Sequence, residues 1–381
     1  TLSFNLPTFD TDFAVKFKAR AASNLTQRVV GVDFDDQLLE FYLDEGEQPM
    51  LRVQSDSGGV ASTQNLAAKA GFVGRVIDMT PFTWAGTVHL ALTDQNHHLW
   101  LLTASNLGTG TWTGTDLTAL ISAPGLTGDL THYSPSWGAI HLAGLDARGH
   151  AINYWFVPGS TPTWQFSDLT DLFSGPLMSG GLTGYVTGWD GLNLAGLNSS
   201  NQVVVYWWAP GLSNWETINM TTTFSGPTFT GQLDAYVTPW GGLNIAGRTS
   251  DNKIYTYWWA PGLGGNWVVS NISEAASSST VATYGTEVVV STDGGINIAF
   301  LDDASKLHML RWTPTNQNWR DLTPDSSAPA MSMPLGSSSS GSRLHLAGRS
   351  SNSDRELVVF DFLFSPGEVW SYSETGVPLE I

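Results

Sequence analysis

Residues 182–267 write one sentence twice: LTGYVTGWDGLNLAGLNSSNQVVVYWWAPGLSNW from Leu182, then LDAYVTPWGGLNIAGRTSDNKIYTYWWAPGLGGNW from Leu233. Copies this similar impose the same local preferences twice, so the chain must build a repeated unit. A short phrase inside each copy, a polar residue followed by L-A-G or a variant, extends the series along the chain. Its members are Arg28 (RVVGVD), His89 (HLALTD), His141 (HLAGLD), Asn193 (NLAGLN), Asn244 (NIAGRT), Asn297 (NIAFLD) and His345 (HLAGRS). The intervals are 61, 52, 52, 51, 53 and 48 residues, which makes seven units.

Short alternating runs of Val, Ile, Tyr, Trp and Thr, split by Gly, Pro, Asn and Asp, make each unit β rather than helical. The unit from Leu182 predicts four strands, near Leu182–Thr187, Leu192–Leu197, Gln202–Trp208 and Trp215–Asn219. NSSN forms the turn after the second strand, with counterparts at Asp94, Asp146 and Ser250. APG turns the chain into the fourth strand, since Pro interrupts a ladder and Gly admits positive φ. Trp112, Trp164, Trp215, Trp267, Trp319 and Trp370 open that fourth strand in six units, while the first unit has Leu51-Arg-Val instead. Along the second strand, Ile140, Leu142, Leu192, Leu194, Leu243 and Ile245 face one way and the His/Asn with Ala143, Ala195, Ala246, Ala299 and Ala347 the other. One bulky and one small face, neither suited to water, require a neighbouring sheet on each side.

In these repeats the chain resembles β-propeller proteins over essentially its whole length, with a distant similarity to propeller lectins. The resemblance implies an all-β, seven-bladed propeller of four-stranded antiparallel blades, closed where the N- and C-termini meet. Blades are expected at roughly 10–72, 73–128, 129–180, 181–231, 232–282, 283–328 and 329–381, with residues 1–9 added to the last or replacing its fourth strand.

A formal charge of −18, from 34 acidic and 16 basic residues, repels phosphate backbones and anionic headgroups, so nucleic acid is not an expected partner. No apolar run approaches membrane-spanning length, and the N-terminal TLSFNLPTFD lacks the form of a signal peptide. With no cysteine there is neither a disulfide framework nor a thiolate metal site.

Three groups of residues are candidates for function. His89, His141 and His345 share their slot with Asn193, Asn244 and Asn297, and what His and Asn have in common is hydrogen bonding; the expected role is a polar clasp between blades rather than a metal site. Asp33, Asp35 and Asp36 are the densest carboxylates of the acidic turns, read as falling at the same hairpin as Asp94, Asp146, Asp251 and Asp302; calcium is the ion such a cluster would take, against a plain turn-forming role. Trp84, Trp137, Trp189 and Trp240 precede the second strand on the face that also carries Pro158, Pro210 and Pro261, and are the expected ligand-stacking rings, against packing between blades. In the YWW motifs, Trp207 with Trp208 and Trp258 with Trp259 point to opposite strand faces, so packing accounts for most of that motif.

Fucose-binding propeller lectins repeat an Arg, an acid and an aromatic in every blade. Here Arg248 and Arg349 share a slot that Leu145, Leu197 and Leu301 fill elsewhere. STDGG at Ser291–Gly295 resembles the start of the sialidase Asp-box. No paired carboxylates, G-x-S-x-G elbow or phosphate loop stands out. Sequons occur at Asn24, Asn198, Asn219 and Asn271. The expected function is a non-catalytic binding or adhesion module, extracellular or at a cell surface, without a cofactor, for a glycan or protein partner. The alternatives are a glycosidase or lyase with a central-channel site, and a structural segment of a larger surface protein.

Overall fold

The computed structural model describes residues 30–378, apart from 35–36, 45, 56–59, 108, 162, 281, 326, 332–335, 352–355 and 366. Seven four-stranded sheets follow one another, each a simple antiparallel meander in chain order. Their first strands are Val30–Phe34, Val76–Trp84, Gly128–Tyr133, Gly180–Val186, Phe229–Val237, Tyr284–Val290 and Gly336–Ser340. Each of these touches the next, and Gly336–Ser340 touches Val30–Phe34, so the first strands line the axis and the ring closes on itself. The fold is a seven-bladed β-propeller.

The seventh blade draws all four strands from one continuous stretch, ending with Val369–Pro378. Residues 1–9, expected to complete or join it, lie outside the described residues. In the unit used as a template the strands are Gly180–Val186, Leu192–Leu197, Val203–Trp208 and Glu216–Asn219, within two residues of expectation at every end. Its second strand is buried on both faces, from Leu192 through Leu197, because a sheet packs on each side.

The first blade corrects the sequence alignment. RVVGVD reaches into the innermost strand, Val30–Phe34, and the second strand is Gln37–Leu43. Leu39, not Arg28, holds the slot of His89, because Tyr42 pairs with Met50 and Met50 with the helix-capping Asn65, as Leu92, Trp100 and Asp116 do in blade two. The first interval becomes 50 residues and matches the others. Leu51-Arg-Val lies in the third strand, Pro49–Ser55, and the fourth strand is Val60–Asn65 further along the chain.

Among the described residues the sequence did not foretell five short helices: α1 (Leu66–Ala70), α2 (Leu117–Ile121), α3 (Leu169–Phe173), α4 (Met220–Thr223) and α5 (Ile272–Ala275). One turn is too short for a helical period to register in the sequence. Their caps are legible in retrospect: Asn65, Asp116, Asp168, Asn219 and Asn271 end the fourth strands, and each side chain accepts an N–H three residues on. The Asn219 and Asn271 sequons are thus capping residues, while Asn198 accepts two N–H bonds within its own turn.

These helices fasten neighbouring blades. Tyr206 of blade four reaches back to Thr170 Oγ1 on α3 (2.9 Å) and donates to the Pro176 carbonyl (2.7 Å); Tyr154 and Tyr257 repeat the arrangement with Pro124 and Pro227. Gly175 is required there, since a Cβ would stand 2.2 Å from the Tyr206 ring. A second set of ties runs between first strands. Asp78 and Thr131 accept the N–H groups of Leu130 and Gly184 of the following blades at 2.9 and 3.0 Å, and Glu287 accepts the Ser337 hydroxyl at 2.9 Å.

Candidate functional site

Antiparallel meanders send the first-to-second and third-to-fourth turns to one face of the ring and the helices to the other. On the first face, Thr187 builds a five-residue turn: its Oγ1 accepts the Gly191 N–H at 2.7 Å, its carbonyl accepts the Asp190 N–H, and its own N–H donates to the Gly191 carbonyl. Thr238 does the same with Gly241 and Gly242. The residue just before the positive-φ position, Asp190 at +65° and Gly241 at +81°, is thereby held outward. That residue is Trp189 or Trp240, and Trp137 stands equivalently before Gly138.

Trp137, Trp189 and Trp240 are 42%, 47% and 40% exposed, unusual for tryptophan. Each leans across a blade boundary onto a ring at the end of the next blade's third strand. Trp137 meets Trp208 at 6.0 Å and 78°, Trp189 meets Trp259 at 5.6 Å and 78°, and Trp240 meets Trp312 at 5.4 Å and 55°. The supporting rings are half-buried, and Trp208 Nε1 donates to the Leu212 carbonyl. Within the described residues the indole N–H groups of Trp137, Trp189 and Trp240 have no hydrogen-bond partner. Prolines back the turns as expected, with Pro158 and Pro261 beside Gly138 and Gly241.

Trp84 separates from this group. It is half-buried, packs on Phe156 at 5.6 Å, and donates its N–H to the Gly138 carbonyl at 3.0 Å. Sequence reasoning missed the second wall, Trp208, Trp259 and Trp312, because it assigned YWW to packing; the signal was one aromatic recurring at the end of consecutive third strands.

Blade six breaks the pattern. STDGG is the same turn, with Ser291 in the place of Thr238 and Asp293 in the place of Trp240. Arg311, 1% exposed, replaces the Trp207 and Trp258 of earlier blades. Its guanidinium donates to Asp293 and Asn297 at 2.5 Å, lies 3.5 Å from Glu368, and sits over Phe362 and Phe364 of blade seven. Arg320 completes the network with two bonds to Glu368, whose carboxyl it holds below the ordinary range.

The His/Asn slot makes these hydrogen bonds within its own blade, across strands for the histidines and chiefly to the adjoining turn for the asparagines, where a clasp between blades was expected. His89 Nδ1 lies 3.0 Å from Thr103 Oγ1, Asn153 donates to His141 at 3.1 Å, and His345 contacts Asp361. Asn193 and Asn244 donate to the carbonyls of Gly191 and Gly242, and Asn297 to those of Val289 and Gly295. Blade contact at this level comes through rings: Phe82 stacks on His89 and on His132 of blade three at 3.8 Å. Burial pushes the His89 pKa down to about 4, against a weaker upward pull from the Trp84 backbone.

Asp33 is the penultimate residue of the first strand, and Asp35 and Asp36 lie outside the described residues. In chain order the three fall at or after the end of the first strand, before the second, whereas Asp94, Asp146 and Asp302 end or follow the second strands; Asp44 is the blade-one counterpart of those three, each of the four accepting two N–H bonds. On the helix face Asp146, His150 and Asp168 bring their donor atoms within 4.8 Å of one another. Arg148 already fills the position a cation would take, donating to Asp146 at 2.8 Å and Asp168 at 3.1 Å. A cavity of about 500 Å³ beside them is lined by Asp78, Asp129 and Arg148 among others, and Asp78 spends both oxygens on the N–H groups of Met79 and Leu130.

Neither a protein-family profile nor a curated protein sequence matches the chain. Solved structures do. The chain is similar to BP39L lectin from Burkholderia pseudomallei, with a TM-score of 0.63 at 11% identity over 91% of this chain and 98% of that one. A prolyl endopeptidase matches with a TM-score of 0.54 at 12% identity, over 93% of this chain and 51% of that one. A mutant Aleuria aurantia lectin in complex with Fucα1-6GlcNAc matches with a TM-score of 0.50 at 15% identity, over 78% and 95%. The likeness is one of fold. Arg248, the residue compared with the repeated lectin Arg, bonds Asn252 in its own hairpin.

Proposed function

We propose that this propeller is a non-catalytic glycan-binding module acting at an extracellular surface, and that Trp137, Trp189 and Trp240 are its stacking rings. One observation carries the reading: three equivalent indoles are held outward by built turns, exposed by 40% or more, with unused N–H donors. A sugar covers such a ring with its C–H face and offers the N–H a hydroxyl oxygen. Covering the exposed part of one indole contributes roughly 2 kcal/mol at the usual value per area. Propeller lectins among the structural neighbours, one in complex with a fucosylated disaccharide, support a glycan over a protein partner. Low Lys, acidity and many Thr, Ser, Gly and Asp residues fit display outside the cell.

A glycan array probed with the wild-type chain and with a Trp137→Ala, Trp189→Ala, Trp240→Ala triple variant tests this. Binding that disappears in the folded triple variant supports the reading. Binding that persists there would place the ligand elsewhere, and silence across the array would favour a protein partner.

A further inference from the structure

Seven blades make seven boundaries, yet the open tryptophan corner is found at three consecutive ones. At the boundary between blades two and three the corner slot holds Ala85, and the neighbouring Trp84 ends the first strand and gives its N–H to Gly138. Between six and seven Asp293 stands in the tryptophan slot and is held by Arg311. Blade seven has Gly341 in that slot, and in blade one the slot is Asp35, which is not aromatic and lies outside the described residues.

We infer that the chain is a trivalent receptor for neutral sugars, binding one pyranose at each of the boundaries three–four, four–five and five–six. This inference rests on the glycan reading above and adds the number of sites, their positions and the ligand's charge. The charge follows from the corner's composition. Its walls are two indoles, and among the described residues the cation–ring contacts belong to Arg311 with Phe362 and Phe364, not to these rings. The acid nearest in sequence, Asp190, already receives the N–H and hydroxyl of Ser136 at 2.7 and 2.6 Å. An acidic sugar would find no counter-charge there, on a chain of net charge −18. Three neighbouring corners on one rigid face also suit a surface that repeats the same sugar, since linked weak sites gain roughly 100-fold or more in apparent affinity.

The test is fluorine NMR of the 5-fluorotryptophan-labelled chain, with the signals of Trp137, Trp189 and Trp240 assigned by single Trp→Phe variants. Methyl glycosides of fucose, galactose and N-acetylglucosamine are titrated in, with the methyl glycoside of sialic acid as the charged comparison. The expected result is that at least one neutral glycoside shifts all three signals with Kd values within about threefold of each other, and that the sialoside shifts none. Each single Trp→Ala variant then loses its own site and leaves the other two unchanged, while retention of a polyvalent neoglycoprotein falls more than tenfold when two sites are removed. Neutral binding that moves only one of the signals, or none of them, overturns trivalency while leaving glycan binding standing. A sialoside that binds the corners overturns the neutral class. Failure of every glycoside to bind overturns both this inference and the reading it rests on.

Discussion

Trp189 of blade four meets Trp259 of blade five nearly edge to plane, with centroids 5.6 Å apart, and the two rings have different tasks. Trp189 is 47% exposed with an unused N–H, whereas Trp259 is half-buried and donates to the Gly264 carbonyl. Trp189→Ala is expected to cost about 1 kcal/mol of stability, and Trp259→Ala about 2–3 kcal/mol. Both should weaken glycan retention. Urea denaturation of the two variants checks the ordering; equal losses would mean that Trp189 is a packing residue.

Stability should fall in acid through His89. Its pKa drops from the ordinary 6.5 to about 4 in the fold, so the unfolded chain takes up the proton first as the pH falls. The contribution is complete above pH 6.5 and is lost as the pH descends to about 4, a change of about 3 kcal/mol. Asn fills the same slot in blades four to six, so His89→Asn should keep the fold and flatten that part of the curve. Paired denaturation series at pH 7, 5.5 and 4.5 measure it.

Arg311 is the most exacting residue of the sixth boundary. Arg311→Ala leaves Asp293 and Glu368, each about a third exposed, without this partner and is expected to cost about 2–3 kcal/mol, below the usual penalty for breaking a fully buried pair because water reaches both carboxylates. Arg311→Ala with Asp293→Ala should recover at least about 1 kcal/mol of that, because one orphaned carboxylate is gone. Strict additivity in the double-mutant cycle would show that the two do not act together.

Gly175 and Tyr206 tie blades three and four. Tyr206→Phe removes a hydroxyl bonded to both Thr170 and Pro176 and should cost about 1–2 kcal/mol. Gly175→Ala forces a methyl group into the Tyr206 ring and should cost about 2–3 kcal/mol. Gly175→Ala in the Tyr206→Phe background should still be destabilising, since the ring remains. Thermal melts of the three variants decide the order.

The number of blades and the strands of each unit were legible in the sequence, because a repeat applies the same alternation at the same spacing many times. The first blade was misread by eleven residues, since residues 39–43 are mostly buried like their counterparts but do not share their letters. The helices were missed because four or five residues carry a cap but no period. Trp84 stands five residues before its anchor where Trp137, Trp189 and Trp240 stand four before theirs, a one-residue offset that places it at the end of a strand, paired with Thr87, rather than inside a five-residue turn.

By itself the sequence determined that this chain builds a ring of stacked sheets, because residues such as Leu142 and Ala143 leave neither face of a strand fit for water. Which rings reach solvent was decided only by the tertiary structure. That outcome depends on what the next blade offers: the Gly138 carbonyl draws Trp84 inward, while the edges of Trp208, Trp259 and Trp312 support Trp137, Trp189 and Trp240 without using their N–H groups. The same holds for the sixth boundary, where Asp293 and Arg311 are eighteen residues apart in the chain and meet through a pairing that the fold has to supply.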